Sequence, residues 1–357
     1  MKKNLFNNAF IALISITLFA AVFSSCKKDE EPNGNVNKTT LNALVDSVQM
    51  VADQAKEADY PKAAIDALKT TLASVKASRD NATVTQTQID NLVVSLRAAR
   101  TTFMAAAYGA IPANALLLGM TFDETVTSNQ ITTAGKGWKA DLKPGPTEIF
   151  GAGVAIPTFV AGKKGNAAYF SKGSHFEVNN YAASDLLSSK LSIALWIKSD
   201  STRENNYLVS YNYWNTWKFQ LQTGDLPFFT SHTTPDLFTD ADAAVAAVPK
   251  TVWTHVVVSL DLTAGTMTFY VNGGNVKQWT KTDKPNLTGT LKPYTTTLPL
   301  MIGAGFTYAE GMAAMGADAW WKTMQAFPHF VGAMDELKIY NVALTDGQVT
   351  QLYNEEK

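Results

Sequence analysis

Apolar and polar positions follow two different periods along most of this chain. Between residues 38 and 107 the apolar residues recur at spacings of three and four. Leu41, Leu44, Val45, Val48 and Ala52 fall on one helical face. Ile65, Leu68, Leu72 and Val75 form a second stripe, opened by Pro61, whose missing N–H costs nothing in a first turn. Ile89, Leu92, Val93, Leu96 and Phe103 form a third. It follows Thr85-Gln86-Thr87-Gln88, a capping-box pattern in which the first and last side chains satisfy free N–H groups. Short links, around Asp59 and over residues 79–83, favour antiparallel neighbours. The pattern predicts an up-down-up three-helix bundle over 38–107.

Past residue 113 the period becomes two. Leu191, Ile193, Leu195 and Ile197 alternate with Ser192, Ala194, Trp196 and Lys198. Trp217, Phe219 and Leu221 alternate with Lys218, Gln220 and Gln222, which makes Trp217 the inward-packing start of a strand. Met267, Phe269 and Val271 lead into a tight hairpin at Asn272-Gly273-Gly274-Asn275. Many short strands, Gly-, Asn- and Pro-rich turns and one terminal helix predict a two-sheet sandwich over 113–357. The expected fold class is therefore multidomain: a small α bundle followed by an all-β sandwich.

The first residues follow neither period. Lys2 and Lys3 precede an apolar run from Phe10 to Phe23, and small Ser24 and Ser25 lead to Cys26. That layout predicts a cleaved signal peptide over 1–25. The alternative, a retained membrane span, needs about 20 apolar residues, and this run is shorter and interrupted by Ser15 and Thr17. Val22-Phe23-Ser24-Ser25-Cys26 resembles the lipobox of bacterial lipoproteins, with Phe23 where an aliphatic residue is usual. The resemblance implies lipidation of Cys26 and membrane attachment through that lipid. Lys27-Lys28-Asp29-Glu30-Glu31 resembles the signal that sends Bacteroidetes lipoproteins to the outer face of the outer membrane. Residues 26–37 are then a lipidated N-terminus and flexible linker, with Pro32 to Asn35 breaking any helix.

Composition narrows the function. A net charge of −1 gives no electrostatic case for nucleic acid. With 46% hydrophobic residues each part can bury a core. Cys26 is the only cysteine, so no internal disulfide can form.

Two further resemblances appear. The helical pattern is similar to the FIVAR-type modules of bacterial surface proteins; its residues point to a spacer more than to a binding unit. In the second half, Gly165–Phe170, Leu191–Lys198, Trp253–Asp261, Met267–Gly273 and Phe330–Asn341 occur in an order that resembles the LamG-like, concanavalin A-like jelly rolls. Ala343-Leu344-Thr345 and a capped turn from Thr345 to Gln348 close the pattern. The resemblance implies a lectin- or glucanase-like sandwich. It also implies a calcium site near Asp123 and Asp335, at the ends of the first and last strands. Two carboxylates fall short of the six or so oxygens that calcium takes.

Catalytic motifs are missing. Glucanases of this fold carry Glu-x-Asp-x-Glu on one strand, and no such triplet occurs. Asp335 and Glu336 are adjacent, Asp240-x-Asp242 sits in an Ala-rich, loop-like stretch, and His255 sits in an apolar strand as a satisfied structural histidine. Sugars pack their C–H faces on exposed aromatic rings, and two loop segments offer them. Tyr213 and Trp214 stand in one; Trp320, Trp321 and His329 stand in the other. Capture of a glycan or polysaccharide through these residues is the leading expectation. A protein-binding or structural surface module is the second. A glycoside hydrolase is the third, and it requires two carboxylates roughly 5–10 Å apart in a cleft.

Overall fold

The computed structural model describes residues 36–57, 59–294, 299–316, 318 and 320–357. The expected signal segment, Cys26 and the charged run Lys27–Glu31 lie outside the described residues. The chain divides into a helical unit, up to Ala55 with Ala63–Ala105, and a β unit, Lys56–Lys62 with Ala106–Lys357.

The helical unit holds α1 (Thr39–Gln54), α2 (Lys62–Arg79) and α3 (Gln86–Ala105). Leu41, Val45, Val48 and Ala52 meet Ile65, Leu68, Leu72, Val75, Ile89, Leu96 and Phe103 in the interior. Polar bonds at the ends fix the direction of each helix. The Lys38 ammonium donates to the Arg79 carbonyl, so the start of α1 lies beside the end of α2. The Asn37 N–H donates to Gln86 Oε1, so the starts of α1 and α3 lie together. The Thr85–Gln88 capping box forms as expected, with donor–acceptor distances of 2.9 and 3.3 Å.

The β unit is a sandwich of two antiparallel sheets. Strands are numbered in chain order. The first sheet runs β15 (Gly274–Thr280), β14 (Thr266–Val271), β13 (Thr254–Asp261), β8 (Lys190–Ser199), β17 (Gly332–Tyr340), β1 (Leu116–Met120) and β3 (Ala134–Gly135). β6 (Asn166–Phe170) also pairs with β17, and β5 (Thr158–Ala161) pairs with β6. The second sheet runs β12 (Leu237–Asp242), β11 (Leu226–Thr233), β10 (Trp217–Gln222), β9 (Asn206–Tyr211), β16 (Leu300–Ile302), β7 (His175–Asn179), β4 (Lys139–Lys143) and β2 (Gln130–Thr132). Leu191, Ile193, Leu195 and Ile197 of β8 and Trp217, Phe219 and Leu221 of β10 fill the space between the sheets. Asn272 and Gly273 take φ of 50° and 78°, the left-handed pair that a two-residue hairpin between β14 and β15 demands.

The structure departs from the alternation in three places. Ser192, Ala194 and Trp196 of β8 are buried as fully as their inward neighbours. The terminal helix α6 (Asp346–Glu356), which follows the loop helices α4 (Thr147–Phe150) and α5 (Tyr308–Met315), explains this, because Val349 and Leu352 cover Ala194, Val257 and Tyr270 on the outer face. Asp240 and Asp242 lie on strand β12, paired to Thr230 and Phe228, and not in a loop. His255 is buried but not satisfied: neither ring nitrogen has a hydrogen-bond partner, and Nε2 stands 3.8 Å from Glu356 Oε2. Burial pushes its pKa down to about 3, and the nearby Lys338 charge adds to that, so the ring is neutral packing for Trp196 and Tyr353.

Candidate functional site

Two loops of the β unit build an aromatic lobe. The first, between β9 and β10, turns sharply: Asn212 and Tyr213 both take left-handed φ, 53° and 52°. Such a conformation is uncommon for a bulky residue and needs support from its surroundings. Tyr213 has that support, because its ring packs edge-on against Phe306 at 5.0 Å and its hydroxyl donates to the Glu310 carbonyl. The second loop runs from β16 to β17 and contains α5 (Tyr308–Met315). Thr307 and Glu310 form a capping box at its start. Gly311 is required there: a Cβ would lie 2.8 Å from both the Phe306 and Trp321 rings.

Phe306, Trp321, Phe327, Tyr213 and Ile149 make a small core of their own, with Trp214 and Tyr308 packed on its edge. This corrects the expectation for three residues. Trp321 is 0% exposed, and Tyr213 and His329 are also buried, so none offers a face to a sugar. The physical reason is that the loop is long enough to fold back and cover its own apolar residues. Trp320, next to Trp321, is 49% exposed. Trp214 is partly exposed, and its ring centroid lies 6.3 Å from that of Trp320. Of the five aromatic and histidine candidates, these two are the ones brought together at the surface.

Arg203 holds the lobe down, and nothing in its sequence neighbourhood marks it. Its Nη2 lies 2.9, 2.7 and 3.1 Å from the carbonyl oxygens of Met324, Gln325 and Phe327. It also lies 3.1 Å from His329 Nδ1. Burial pulls the guanidinium pKa down to about 10, and its charge rests on carbonyl dipoles. Desolvation and that neighbouring charge together push the His329 pKa to about 3, so His329 is a neutral part of the clasp.

The two carboxylates proposed for a metal approach one turn. Asp123 follows β1, and Asp335 is on β17, the strand that β1 pairs with. Asp123 Oδ1 accepts from the backbone N–H and side-chain amide of Asn166, both at 2.8 Å. Asp335 Oδ2 accepts from the Lys164 N–H at 3.0 Å, and its Oδ1 from the Glu336 N–H at 2.8 Å. Burial pushes the Asp335 pKa up to about 6. Among the described residues no group of three or more His, Cys, Asp or Glu stands close enough to hold a metal ion.

Tyr308 also walls a cleft of about 260 Å³ whose floor comes from β4 and β7. The sequence pattern carries no hint of it, since its residues come from three separate segments.

The model of the concanavalin A-like lectin/glucanases superfamily matches residues 170–350. Among solved structures, the binding domain of Paraclostridial Mosquitocidal Protein 1 has a TM-score of 0.46 at 15% identity, over 68% of this chain and 52% of that one. Domain 4 of AbnA, an extracellular arabinanase from Geobacillus stearothermophilus solved with arabinotriose, has a TM-score of 0.46 at 19% identity, over 67% of this chain and 98% of that one. The binding domain of botulinum neurotoxin serotype D has a TM-score of 0.45 at 13% identity, over 68% and 52%. The match therefore spans about half the length of the two toxin domains. No curated protein matches this chain in sequence.

Proposed function

The chain belongs to the concanavalin A-like lectin/glucanases superfamily, and from there we propose that it acts as a cell-surface lipoprotein that captures glycan without hydrolysing it. The observation that supports this reading is the tryptophan pair. A loop lobe with its own core holds Trp214 and Trp320 at the surface, 6.3 Å apart and tilted by 44°. The C–H face of a sugar ring packs well on a supported, exposed indole. In the proposal the lipid on Cys26 anchors the chain and the helical unit spaces the sandwich from the membrane. Glu336 and Glu356 are not free for catalysis, since both bond the Lys338 ammonium and are almost wholly buried.

One experiment tests anchor and binding together. Cells displaying the full chain are incubated with fluorescent polysaccharides, arabinan, xylan, galactan and mannan among them. Capture is expected for at least one polymer. The double variant Trp214→Ala, Trp320→Ala should lower it about tenfold, the loss of one to two stacking contacts. Cys26→Ser should release the captured label with the protein. No capture of any polymer, or full capture by the double variant, would sink the reading.

Calcium is the second part of the proposal. The residues fit a hard cation in kind: two carboxylates flank a turn in which Gly162 and Gly165 leave no room for a Cβ beside them. They supply two of the six or so ligands, so carbonyls and water must complete the set. The raised pKa of Asp335 sets the pH dependence. A carboxyl raised by burial favours the fold while protonated, and that contribution fades as pH climbs through about 6. A cation reverses this by binding the ionised form. Saturating calcium should raise Tm by about 5 °C at a pH near 7.5 and hardly at all near pH 5. Asp335→Asn should remove the difference. Equal melting with calcium and with a chelator at both pH values would count decisively against the site.

A further inference from the structure

We infer that the cleft walled by Tyr308 is a saccharide subsite that takes an uncharged pyranose through its hydroxyl donors. The inference rests on the glycan-binding reading above and adds the sugar class and the residues that select it.

Antiparallel pairing of β4 with β7 sets Lys143 opposite His175 and Asp141 opposite Glu177. Phe176 and Val178 of β7 enter the core between the sheets. The alternate residues His175 and Glu177 therefore turn the other way and line the cleft. His175 is buried, and its Nδ1 lies 2.8 Å from the Gly173 carbonyl oxygen. A carbonyl oxygen only accepts, so Nδ1 carries the hydrogen. In the neutral ring Nε2 is then an acceptor facing Glu177 Oε1, a second acceptor, at 3.3 Å; in the protonated ring it donates to that carboxylate.

Two acceptors do not bond each other. With the ring neutral, a donor placed beside the pair, within hydrogen-bond reach of both, is shared by them. A sugar hydroxyl is such a donor, and an acceptor pair on a cleft floor is placed to receive it. The Lys143 ammonium stands 3.9 Å from Asp141 Oδ2 and 4.0 Å from Glu177 Oε2. Those separations exceed a hydrogen bond, so its N–H groups stay available to a ligand oxygen. The Tyr308 ring and Pro146 supply an apolar wall for the C–H face of the ring. Glu148, also on the lining, joins Glu177 in outnumbering the one lysine, which disfavours a sugar acid. The volume, about 260 Å³, lies just under the ~300 Å³ at which pockets for drug-sized ligands begin, and suits one sugar ring.

The test is side-chain NMR on the full chain, titrated with methyl glycosides of glucose, galactose, mannose and arabinose, and with methyl glucuronide. At least one neutral glycoside should shift the His175 and Tyr308 ring signals, and the glucuronide should leave them in place. Glu177→Gln puts an amide donor opposite Nε2 and fills the gap. It should weaken the neutral sugar about tenfold while the fold, checked by circular dichroism, stays unchanged. Silent cleft signals, or wild-type affinity in Glu177→Gln, overturn the inference. If polysaccharide capture through Trp214 and Trp320 persists with a silent cleft, the subsite fails and the wider reading stands. If the cleft responds and capture is absent, the tryptophan pair is what fails.

Discussion

Glu356→Ala is expected to lower the unfolding free energy by about 3 kcal/mol or more, although the residue is next to last in the chain. Its side chain is 5% exposed and closes a charged triad on the outer face of the first sheet. The Lys338 ammonium lies 2.5 Å from Glu356 Oε1 and 2.7 Å from Glu336 Oε2. Burial alone would depress the lysine pKa; the two carboxylates outweigh that and hold it above its ordinary value. Removing one carboxylate leaves a largely buried ammonium with half its compensation. It also strips the Trp196 indole N–H of its acceptor, now 2.9 Å away on Glu356 Oε2. The Lys163 ammonium above Trp196 and the Tyr353 ring stacked on it belong to the same cluster, so the loss spreads to the packing of α6. Glu356→Gln keeps an acceptor for Trp196 and should lose less. Urea unfolding followed by tryptophan fluorescence measures both. A midpoint unchanged in Glu356→Ala would mean that water already solvates the end of α6 and the triad does not hold it.

These residues also show where the sequence stopped being informative. Alternation identifies the face of β8 that enters the core, because Leu191, Ile193, Leu195 and Ile197 carry the signal themselves. It does not say what covers the opposite face, so Trp196 and His255 looked like ordinary strand residues. Their burial depends on a helix that begins 150 residues after Trp196 and 91 after His255. Trp320 and Trp321 make the same point locally. They are neighbours in a loop without a period, and one is core while the other is surface. Only the position of Phe306, Gly311 and Phe327 around Trp321 separates them. The cleft was invisible for another reason: His175 and Lys143 become partners through strand register, which a single sequence does not fix. For Asp123 and Asp335 the resemblance implied neighbouring positions; β1, which Asp123 follows, is adjacent to β17, which carries Asp335.

Arg203→Met is expected to release the second aromatic loop while leaving the sandwich folded. The two N–H groups of one guanidinium nitrogen are shared among three carbonyl oxygens between Met324 and Phe327, and methionine offers no donor. Each buried acceptor left unpaired costs about 1–3 kcal/mol, and the losses overlap because the loop can move into water. The net effect should be about 3 kcal/mol, felt locally. Asn205, whose side chain donates to the Ala326 carbonyl and whose own carbonyl accepts from the His329 N–H, still ties this segment to the start of β9. Hydrogen exchange should then speed up across residues 322–330 by about a hundredfold, the rate equivalent of a loss near 3 kcal/mol. β8 and β13, which depend on α6 and the central core, should keep their protection. Trp320 is carried by this loop while Trp214 is carried by the other, so their 6.3 Å pairing is lost. Glycan capture should fall as far as it does in the double tryptophan variant, with both indoles still present. Uniform loss of protection over the whole β unit would show instead that Arg203 supports the sandwich and not the lobe. Unchanged exchange over 322–330 would show that the loop's own aromatic core suffices to hold it.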